Sequence, residues 1–138
     1  MDQRQTVVEK IEADHKEFRG AARMWSGVYH TFQFGAAILS AVAALVLKLD
    51  GVGSLQARNN WGAALAAAAA IFIALLTTGR FKDKWEANRV AAFAVRDLGY
   101  EIETTEANPD KILTELRQIG LTRNNAIVGL PTEIKSKP

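Results

Sequence analysis

The chain of 138 residues carries a formal net charge of +2, no cysteine and 49% hydrophobic residues. This length suits one domain, the missing cysteines exclude a disulfide framework and thiolate chemistry, and the small charge excess does not indicate a nucleic-acid partner. The mean hydropathy is nevertheless close to zero. The apolar residues are therefore concentrated in part of the chain, and the flanking segments are strongly polar.

Residues 1–30 are predicted to form a cytoplasmic amphipathic helix. Their apolar or aromatic residues recur at alternating spacings of three and four, with one histidine among them, which is typical of a helix that packs along one stripe. The stripe is Val8, Ile11, His15, Phe18, Ala22, Trp25 and Tyr29. No proline precedes the apolar run that follows, so we expect one continuous helix. We expect no cleavable signal peptide, because this segment is charged.

Two apolar runs of 19 residues, 31–49 and 61–79, predict transmembrane helices. At about 1.5 Å per residue, each is just under the roughly 30 Å hydrocarbon thickness of a bilayer. Residues 50–60, rich in glycine and asparagine, predict an external connector between antiparallel helices. Trp61 opens the second run, where an interfacial anchor belongs, and Lys48 can extend to the headgroups. The alternative is a soluble bundle that hides both runs in its core.

Basic residues near the ends of the two runs predict the orientation. Seven precede the first run or follow the second, whereas the connector holds only Arg58. The seven are Lys16, Arg19, Arg23, Arg80, Lys82, Lys84 and Arg89. By the positive-inside rule, both termini are cytoplasmic and the protein resides in the inner (plasma) membrane.

Residues 80–107 are predicted to continue the second transmembrane helix without a break, to about residue 106, as a cytoplasmic helical extension. Its stripe at heptad spacing is Phe81, Trp85, Asn88, Ala92, Val95, Gly99 and Ile102. Asn108 and Pro109 suit the N-cap and first position of a short helix over 108–120, which Gly120 would end. We expect residues 121–138 to form a poorly ordered tail.

Motifs for catalysis are missing from the sequence. There is no glycine-rich phosphate loop, no HExxH and no carboxylate pair with a nearby histidine, and Gly51 and Gly53 lack the flanking strand and third glycine of a dinucleotide site. On one helix, His15 and His30 would lie about 22 Å apart, too far for one metal ion. We therefore expect a protein that is not an enzyme and that uses no cofactor and no metal.

Small residues recur at every fourth position of the second run, and such a row lets helix backbones approach closely in lipid. The row is Gly62, Ala66, Ala70, Ala74 and Thr78. It can pack on a shorter row in the first run, Ala36, Ser40 and Ala44, or on another subunit, and the sequence favours neither. A two-helix hairpin has no interior of its own, so we expect a homo-oligomer.

A polar-to-small stripe on the first helix is the candidate pore lining. Its membrane residues would face water, and its basic residues would ring the inner mouth and favour anions. The candidate lining residues are His30, Gln33, Ala37, Ser40 and Ala44, and the basic ring is Lys16, Arg19 and Arg23. The alternatives are a solvated face that ends at the bilayer and local hydrogen bonds from Gln33 and Ser40 to the helix backbone. Thr77 and Thr78 are the next lining candidates.

Trp85 and Arg89 lie one helical turn apart just after the second run, so they can contact each other or one neighbour. We expect Trp85 to pack on Trp25 or Phe18 of the first helix. We expect Arg89 to pair with an acidic residue such as Glu17, or to meet phosphates.

Three features together resemble the SLATT superfamily of bacterial two-transmembrane proteins. They are the arm leading into the first run, HKEFRGAARMWSGVYHTFQFGAAILSAVAALVLKL, the short outer loop, and KWEANR at residues 84–89. The resemblance covers most of residues 10–105. It implies a pore-forming membrane effector of nucleotide-signalled bacterial defence, one that acts when a partner senses a signal nucleotide. We expect no fused sensor domain, so the resemblance implies a separate cytosolic sensor protein.

The predicted fold is all-α: a transmembrane helical hairpin with long cytoplasmic helical extensions and a short C-terminal helix, assembled as an oligomer. The function we expect is that of a pore-forming membrane effector or ion channel. Its expected partners are the lipid bilayer, other copies of the chain, permeant ions and a cytosolic sensor protein, with no nucleic acid. We expect the pore to prefer anions or to be poorly selective. The alternative is a membrane-anchored, non-conducting scaffold that recruits a cytosolic partner through its helical stalk.

Overall fold

The computed structural model describes residues 3–49, 53–104 and 107–130, which form four α-helices and contain no strand. They are α1 (Gln3–Lys48), α2 (Leu55–Gly79), α3 (Phe81–Glu103) and α4 (Pro109–Val128). The predicted all-helical class is therefore confirmed. The chain divides into two compact units. We call Met1–Trp25 with Lys82–Pro138 the bundle, and Ser26–Phe81 the hairpin.

The first helix is continuous, as its lack of proline predicts, and α1 extends over 46 residues. The second transmembrane helix was also predicted to continue into residues 80–107. This prediction is wrong, because α2 ends at Gly79 and α3 begins at Phe81. Arg80 between them has a left-handed backbone, with φ 48° and ψ 37°. A residue in that conformation cannot continue an α-helical hydrogen-bond ladder. The predicted extension is thus a separate helix.

The connector between α1 and α2 is shorter than predicted, because α2 begins at Leu55. Ser54 is its N-cap, and its Oγ accepts a hydrogen bond from the Ala57 backbone N–H at 3.2 Å. This bond satisfies one of the free N–H groups at the helix start. Arg58 donates a hydrogen bond to the carbonyl of Leu49. Residues 50–52 of the predicted connector lie outside the described part of the chain.

The C-terminal helix α4 begins where predicted and ends later. Asn108 caps it by accepting a hydrogen bond from the backbone N–H of Asp110 at 3.0 Å, and Pro109 is its first residue. Gly120, predicted to end the helix, lies within it. A glycine inside a helix costs only about 1 kcal/mol relative to alanine, which neighbouring contacts can offset. The stop is Gly129, with φ 84°. The first part of the predicted tail is therefore helical, and residues 131–138 lie outside the described residues.

Three elements of the bundle pack around one hydrophobic core: α3, α4 and the N-terminal part of α1. Its buried residues are Val7, Ile11, Phe18, Ala91, Ala92, Val95, Leu98, Ile102, Ile112 and Leu116. Each fully buried aliphatic side chain contributes about 1.5–3 kcal/mol to stability. The predicted stripes on α1 and α3 thus face each other. The buried face of α3 is wider than its stripe, because α4 covers a second side of that helix.

Polar contacts connect the start of α1 to the corner between α3 and α4. Arg4 donates from Nε to the Ile102 carbonyl at 3.1 Å and from a terminal nitrogen to the Thr104 carbonyl at 2.9 Å. The Ile102 carbonyl is one of those that the end of α3 leaves without an intrahelical partner. Lys111 Nζ lies 2.9 Å from Glu101 Oε1. The hydrogen bond and negative charge of Glu101 raise the pKa of Lys111.

The hairpin is antiparallel. Phe32, early in its α1 part, contacts Phe72 late in α2 with ring centroids 5.1 Å apart, whereas Leu47 lies against Gly62 at the other end. The seam, defined here by its buried or half-buried side chains, recurs at spacings of three and four on both helices. It comprises Phe32, Ala36, Leu39, Ala43 and Val46 of α1, and Gly62, Leu65, Ala69, Phe72 and Leu76 of α2.

Two described helices, α1 and α2, are long and apolar enough to cross a membrane by length and composition. In each, 11% of the most apolar 18-residue stretch is buried. Apolar helices in the core of a soluble protein are mostly buried. Within this chain the low burial therefore argues against the soluble alternative.

Candidate functional site

The candidate lining residues of α1 are all exposed. His30, Gln33, Ala37, Ser40 and Ala44 lie away from the seam. His30 directly follows Tyr29, and each of the other four directly follows a seam residue. One position along an α-helix rotates a side chain by about 100° relative to the preceding one. The structure thus brings the five residues onto one free face of α1, next to its contact with α2.

The small-residue row of α2 is exposed except at its first member. Gly62 is buried against Leu47, whereas Ala66, Ala70, Ala74 and Thr78 are exposed. A strict four-residue row drifts about 40° round a helix at each step, so it cannot follow a seam that repeats every 3.5 residues. Packing of the whole row inside one hairpin, one of the two alternatives left open by the sequence, is therefore wrong.

The exposed small residues of both helices border the same side of the hairpin. Ala66, Ala70 and Thr77 each follow a seam residue by one position, as the α1 residues do. In antiparallel helices, rotation of the same sense from the shared seam leads to the same side of the pair. We call this side the small face. It comprises Gln33, Ala37, Ser40 and Ala44 of α1 with Ala66, Ala70 and Thr77 of α2.

The opposite side of the hairpin carries large aliphatic side chains, and we call it the bulky face. Its residues precede seam residues by one position: Ile38, Val42 and Leu45 of α1, and Ile71 and Leu75 of α2. Ile38 and Leu45 are each 61% exposed. Two larger side chains, Leu47 and Ile73, border the small face. The hairpin is therefore two-sided, with bulk on one side and small or polar groups on the other.

Polar groups on the small face differ in their hydrogen bonding. Thr77 Oγ1 donates to the Ala74 carbonyl at 2.9 Å, so its hydroxyl is satisfied by its own helix. Among the described residues, neither the Gln33 amide nor the Ser40 hydroxyl forms a hydrogen bond. The local backbone bonding considered for these two side chains is therefore not observed. His30 stacks on Phe34 with ring centroids 6.0 Å apart.

The predicted basic ring lies in the bundle part of α1. Lys16, Arg19 and Arg23 are exposed and share one face of the helix. The core residue Phe18 lies on a different face. This placement fits a solvated face and a basic ring at a pore mouth equally well, because both require exposure.

Trp25 and Trp85 of the bundle each contact a cation. Lys84 Nζ lies 4.7 Å from the centroid of the Trp25 ring, and the Arg89 guanidinium lies 5.6 Å from that of Trp85. The sequence left open whether Trp85 and Arg89 contact each other or a common neighbour, and the structure shows that they contact each other. Glu17, offered as a partner of Arg89, instead lies 3.7 Å from Arg123.

Arg123 is a contact residue that the sequence did not indicate. Its Nε donates to Oδ1 of the fully buried Asn88 at 2.7 Å, and its guanidinium lies 4.4 Å from the Phe18 ring centroid. The only signal was Asn88 itself, a polar residue in an apolar stripe. Its partner could not be identified, because residue 123 falls in the segment predicted to be a tail.

Comparisons with other proteins add no family: no family model, no curated protein and no solved structure matches the chain. Among the described residues, no group of three or more histidine, cysteine or acidic side chains is arranged to hold a metal ion. The small face is the candidate site because it gathers exposed polar and small side chains, which suit contact with other helices or with water.

Proposed function

We propose that the protein is an oligomeric membrane channel in which several hairpins associate through their small faces around a water-filled path. The bulky faces would then meet lipid. In this arrangement the polar stripe of α1 lines the path, and the exposed small residues of α2 allow neighbouring helices to approach closely.

The observation that carries this proposal is the exposure of Gln33 and Ser40 among mostly apolar side chains in the first predicted span. A polar group without a hydrogen-bond partner in hydrocarbon costs roughly 2–7 kcal/mol, depending on the reference state. Polar side chains in transmembrane segments therefore face protein or water. A two-helix hairpin cannot shield them alone, and a ring of copies can.

The basic residues that precede the first span would determine the ion selectivity of the proposed channel. Lys16, Arg19 and Arg23 are exposed on one face of α1. Repeated around a ring of subunits, they would concentrate anions and repel cations at the inner mouth. The proposed channel is therefore anion-preferring. Its proposed location is the inner membrane, with both termini cytoplasmic.

The resemblance to SLATT proteins supports a role for such a channel as a non-enzymatic membrane effector in bacterial defence. We include membership of that superfamily, and opening on a signal from a cytosolic sensor, in the proposal.

The decisive experiment compares two phenylalanine substitutions in the same helix. Ser40→Phe fills the small face, whereas the matched control Val42→Phe adds a ring to the bulky face, where lipid can accommodate it. Chloride flux through proteoliposomes should fall severalfold with Ser40→Phe and stay near the parent value with Val42→Phe. Equal flux through the parent and a correctly assembled Ser40→Phe protein would contradict a pore lined by α1.

A second candidate function is that of a non-conducting scaffold, and one observation favours it. The outer side of α3, away from the core, exposes three large side chains: Val90 at 67%, Phe93 at 48% and Tyr100 at 64%. Exposed apolar patches commonly mark sites of protein contact. Proteoliposomes without ion flux, together with capture of a cytosolic protein that Phe93→Ser abolishes, would favour the scaffold.

A further inference from the structure

Basic residues are concentrated in the parts of the bundle that adjoin the two spans in the chain. Six lie in residues 16–25 and 82–89: Lys16, Arg19, Arg23, Lys82, Lys84 and Arg89. The same stretches contain three acidic residues, Glu17, Asp83 and Glu86. Glu17 lies 3.7 Å from Arg123 of α4, and Glu86 lies 3.8 Å from Lys82. A positive excess therefore remains on both helices.

Two tryptophans accompany these cations. Trp25 and Trp85 are both half-buried, and Lys84 and Arg89 lie over their rings. Trp25 comes six positions before the first predicted span, and Lys82 three positions after the second. Tryptophan with lysine or arginine at this distance from a span is typical of the membrane–water interface, where an amphipathic ring and a cation meet headgroups.

We propose that these residues form a collar that binds the headgroups of anionic phospholipids. The collar is Trp25 of α1 with Lys82, Lys84, Trp85 and Arg89 of α3. The inference rests on insertion of the hairpin in a bilayer, which is part of the proposed function, but it does not depend on pore formation.

The distribution of the cations favours lipid over a soluble phosphate. Lys82 and Arg89 are exposed and lie seven positions apart on α3, about two helical turns, so each can meet a separate headgroup. Basic residues next to a transmembrane helix attract anionic lipid, and salt screens this attraction. Selectivity for negative headgroups over zwitterionic ones is therefore expected.

The test uses the tryptophans as probes in the full-length chain. Trp61→Phe removes the tryptophan at the other end of the hairpin and leaves Trp25 and Trp85. The protein is reconstituted in phosphatidylcholine and phosphatidylglycerol at a roughly three-to-one molar ratio, a composition that gives a negative surface potential. In one sample the phosphatidylglycerol carries brominated chains, and in the other the phosphatidylcholine does. Because bromine quenches nearby tryptophan, the two samples report which lipid is enriched at the collar.

Brominated phosphatidylglycerol should quench severalfold more than its mole fraction predicts. The excess should shrink in Lys82→Gln/Arg89→Gln and persist in the matched control Arg96→Gln/Arg117→Gln, which removes the same charge further along the bundle. Arg96 is a suitable control because it also lies over an aromatic ring, that of Phe93 at 5.0 Å. In the parent, raising the salt from roughly 0.05 to 0.5 M should weaken the excess.

Quenching in proportion to mole fraction would overturn the collar, and so would an excess that Lys82→Gln/Arg89→Gln leaves intact. Loss of the excess on adding free glycerol phosphate would show that the collar binds a soluble phosphate, which also overturns the proposal. Failure of the protein to float with vesicles would overturn bilayer insertion and the collar together. Insertion and ion flux without lipid enrichment would overturn the collar alone.

Discussion

Arg123 of α4 donates a hydrogen bond from Nε to Oδ1 of Asn88 on α3, at a distance of 2.7 Å. Asn88 is fully buried, and its amide nitrogen donates to the Lys84 carbonyl at 2.6 Å. The Arg123 guanidinium also lies 4.4 Å from the Phe18 ring centroid and 3.7 Å from Glu17 Oε1. One side chain thus holds α4 against both other helices of the bundle.

This relationship predicts that Asn88→Ala destabilises the bundle. The substitution removes the acceptor of a half-buried guanidinium N–H, which costs about 1–3 kcal/mol. Thermal unfolding of the full-length protein in detergent should shift down by several degrees, and amide hydrogen exchange should accelerate in α4. Arg117→Ala, an exposed arginine on the same helix, is the control. Unchanged exchange in α4 would show that Arg123 does not hold the helix.

The hairpin seam predicts opposite effects for two glycines of α1. A Cβ on Gly35 would lie 2.7 Å from the Phe72 ring, whereas a Cβ on Gly27 would meet nothing within 4 Å. Gly35→Ala should therefore destabilise the hairpin, since overpacking typically costs about 1–3 kcal/mol. Gly27→Ala should stabilise it by about 0.5–1 kcal/mol through helix propensity. Melting of each variant in detergent checks both signs, and equal shifts would contradict the close approach at Gly35.

The heptad stripes predicted much of the core, because periodicity reports which face of a helix is buried. Ile11, Phe18, Val95 and Ile102 are buried as expected. The stripes missed Leu98, because α4 packs on a second side of α3. A stripe along one side of α3 does not indicate a helix on another side. The sequence also predicted that α4 ends at Gly120, which left less of it to pack on α3.

Two local features were not predictable for a different reason. Left-handed backbone conformations favour glycine or asparagine, so Arg80 gave no signal of a helix break. The small residues of α2 satisfied a recognised packing pattern. However, every residue from Gly62 to Ala70 except Leu65 is glycine or alanine. Small residues therefore occur on nearly every face of this part of the helix, and the pattern does not select one face. Which of them form the seam depends on the side chains of α1, such as Leu47, which covers Gly62.

Exposure of the α2 row predicts that Ala70→Leu weakens association between copies and leaves the single hairpin intact. Ala70 lies on the small face, where a larger side chain keeps backbones apart and typically costs about 1–3 kcal/mol per contact. Ala64→Leu, an exposed alanine that precedes a seam residue, is the matched control. Mass measurement in detergent should show smaller assemblies for Ala70→Leu only. Identical assemblies for both variants would place the row against lipid.

The excess of basic residues outside the connector predicts that Ser54 faces the exterior and Arg117 the cytoplasm. The chain contains no cysteine, so single Ser54→Cys and Arg117→Cys variants can be labelled without a background. An impermeant thiol reagent applied to intact cells should modify Ser54→Cys alone, and Arg117→Cys should react only after permeabilisation. The reverse pattern would invert the proposed topology and move the basic ring to the outer mouth.

The proposed anion preference predicts that charge reversal at the basic ring changes selectivity more than it changes assembly. Arg19 and Arg23 are exposed and do not belong to the hydrophobic core, so Arg19→Glu/Arg23→Glu should fold and assemble like the parent. The charges of the basic ring control the local concentration of permeant ions. In a chloride salt gradient, the variant should therefore shift the reversal potential towards the equilibrium potential of the cation.

The control for this measurement is Arg96→Glu/Arg117→Glu, which makes the same change in net charge at positions outside the proposed ring. Its reversal potential should match that of the parent. High salt should reduce the difference between the two variants, since screening shortens the reach of exposed charges to about 3 Å at 1 M. If both variants shift the potential equally, the effect comes from net charge alone and Lys16, Arg19 and Arg23 do not ring the mouth. If neither does, the three residues form only a solvated face, and selectivity must come from the small face itself.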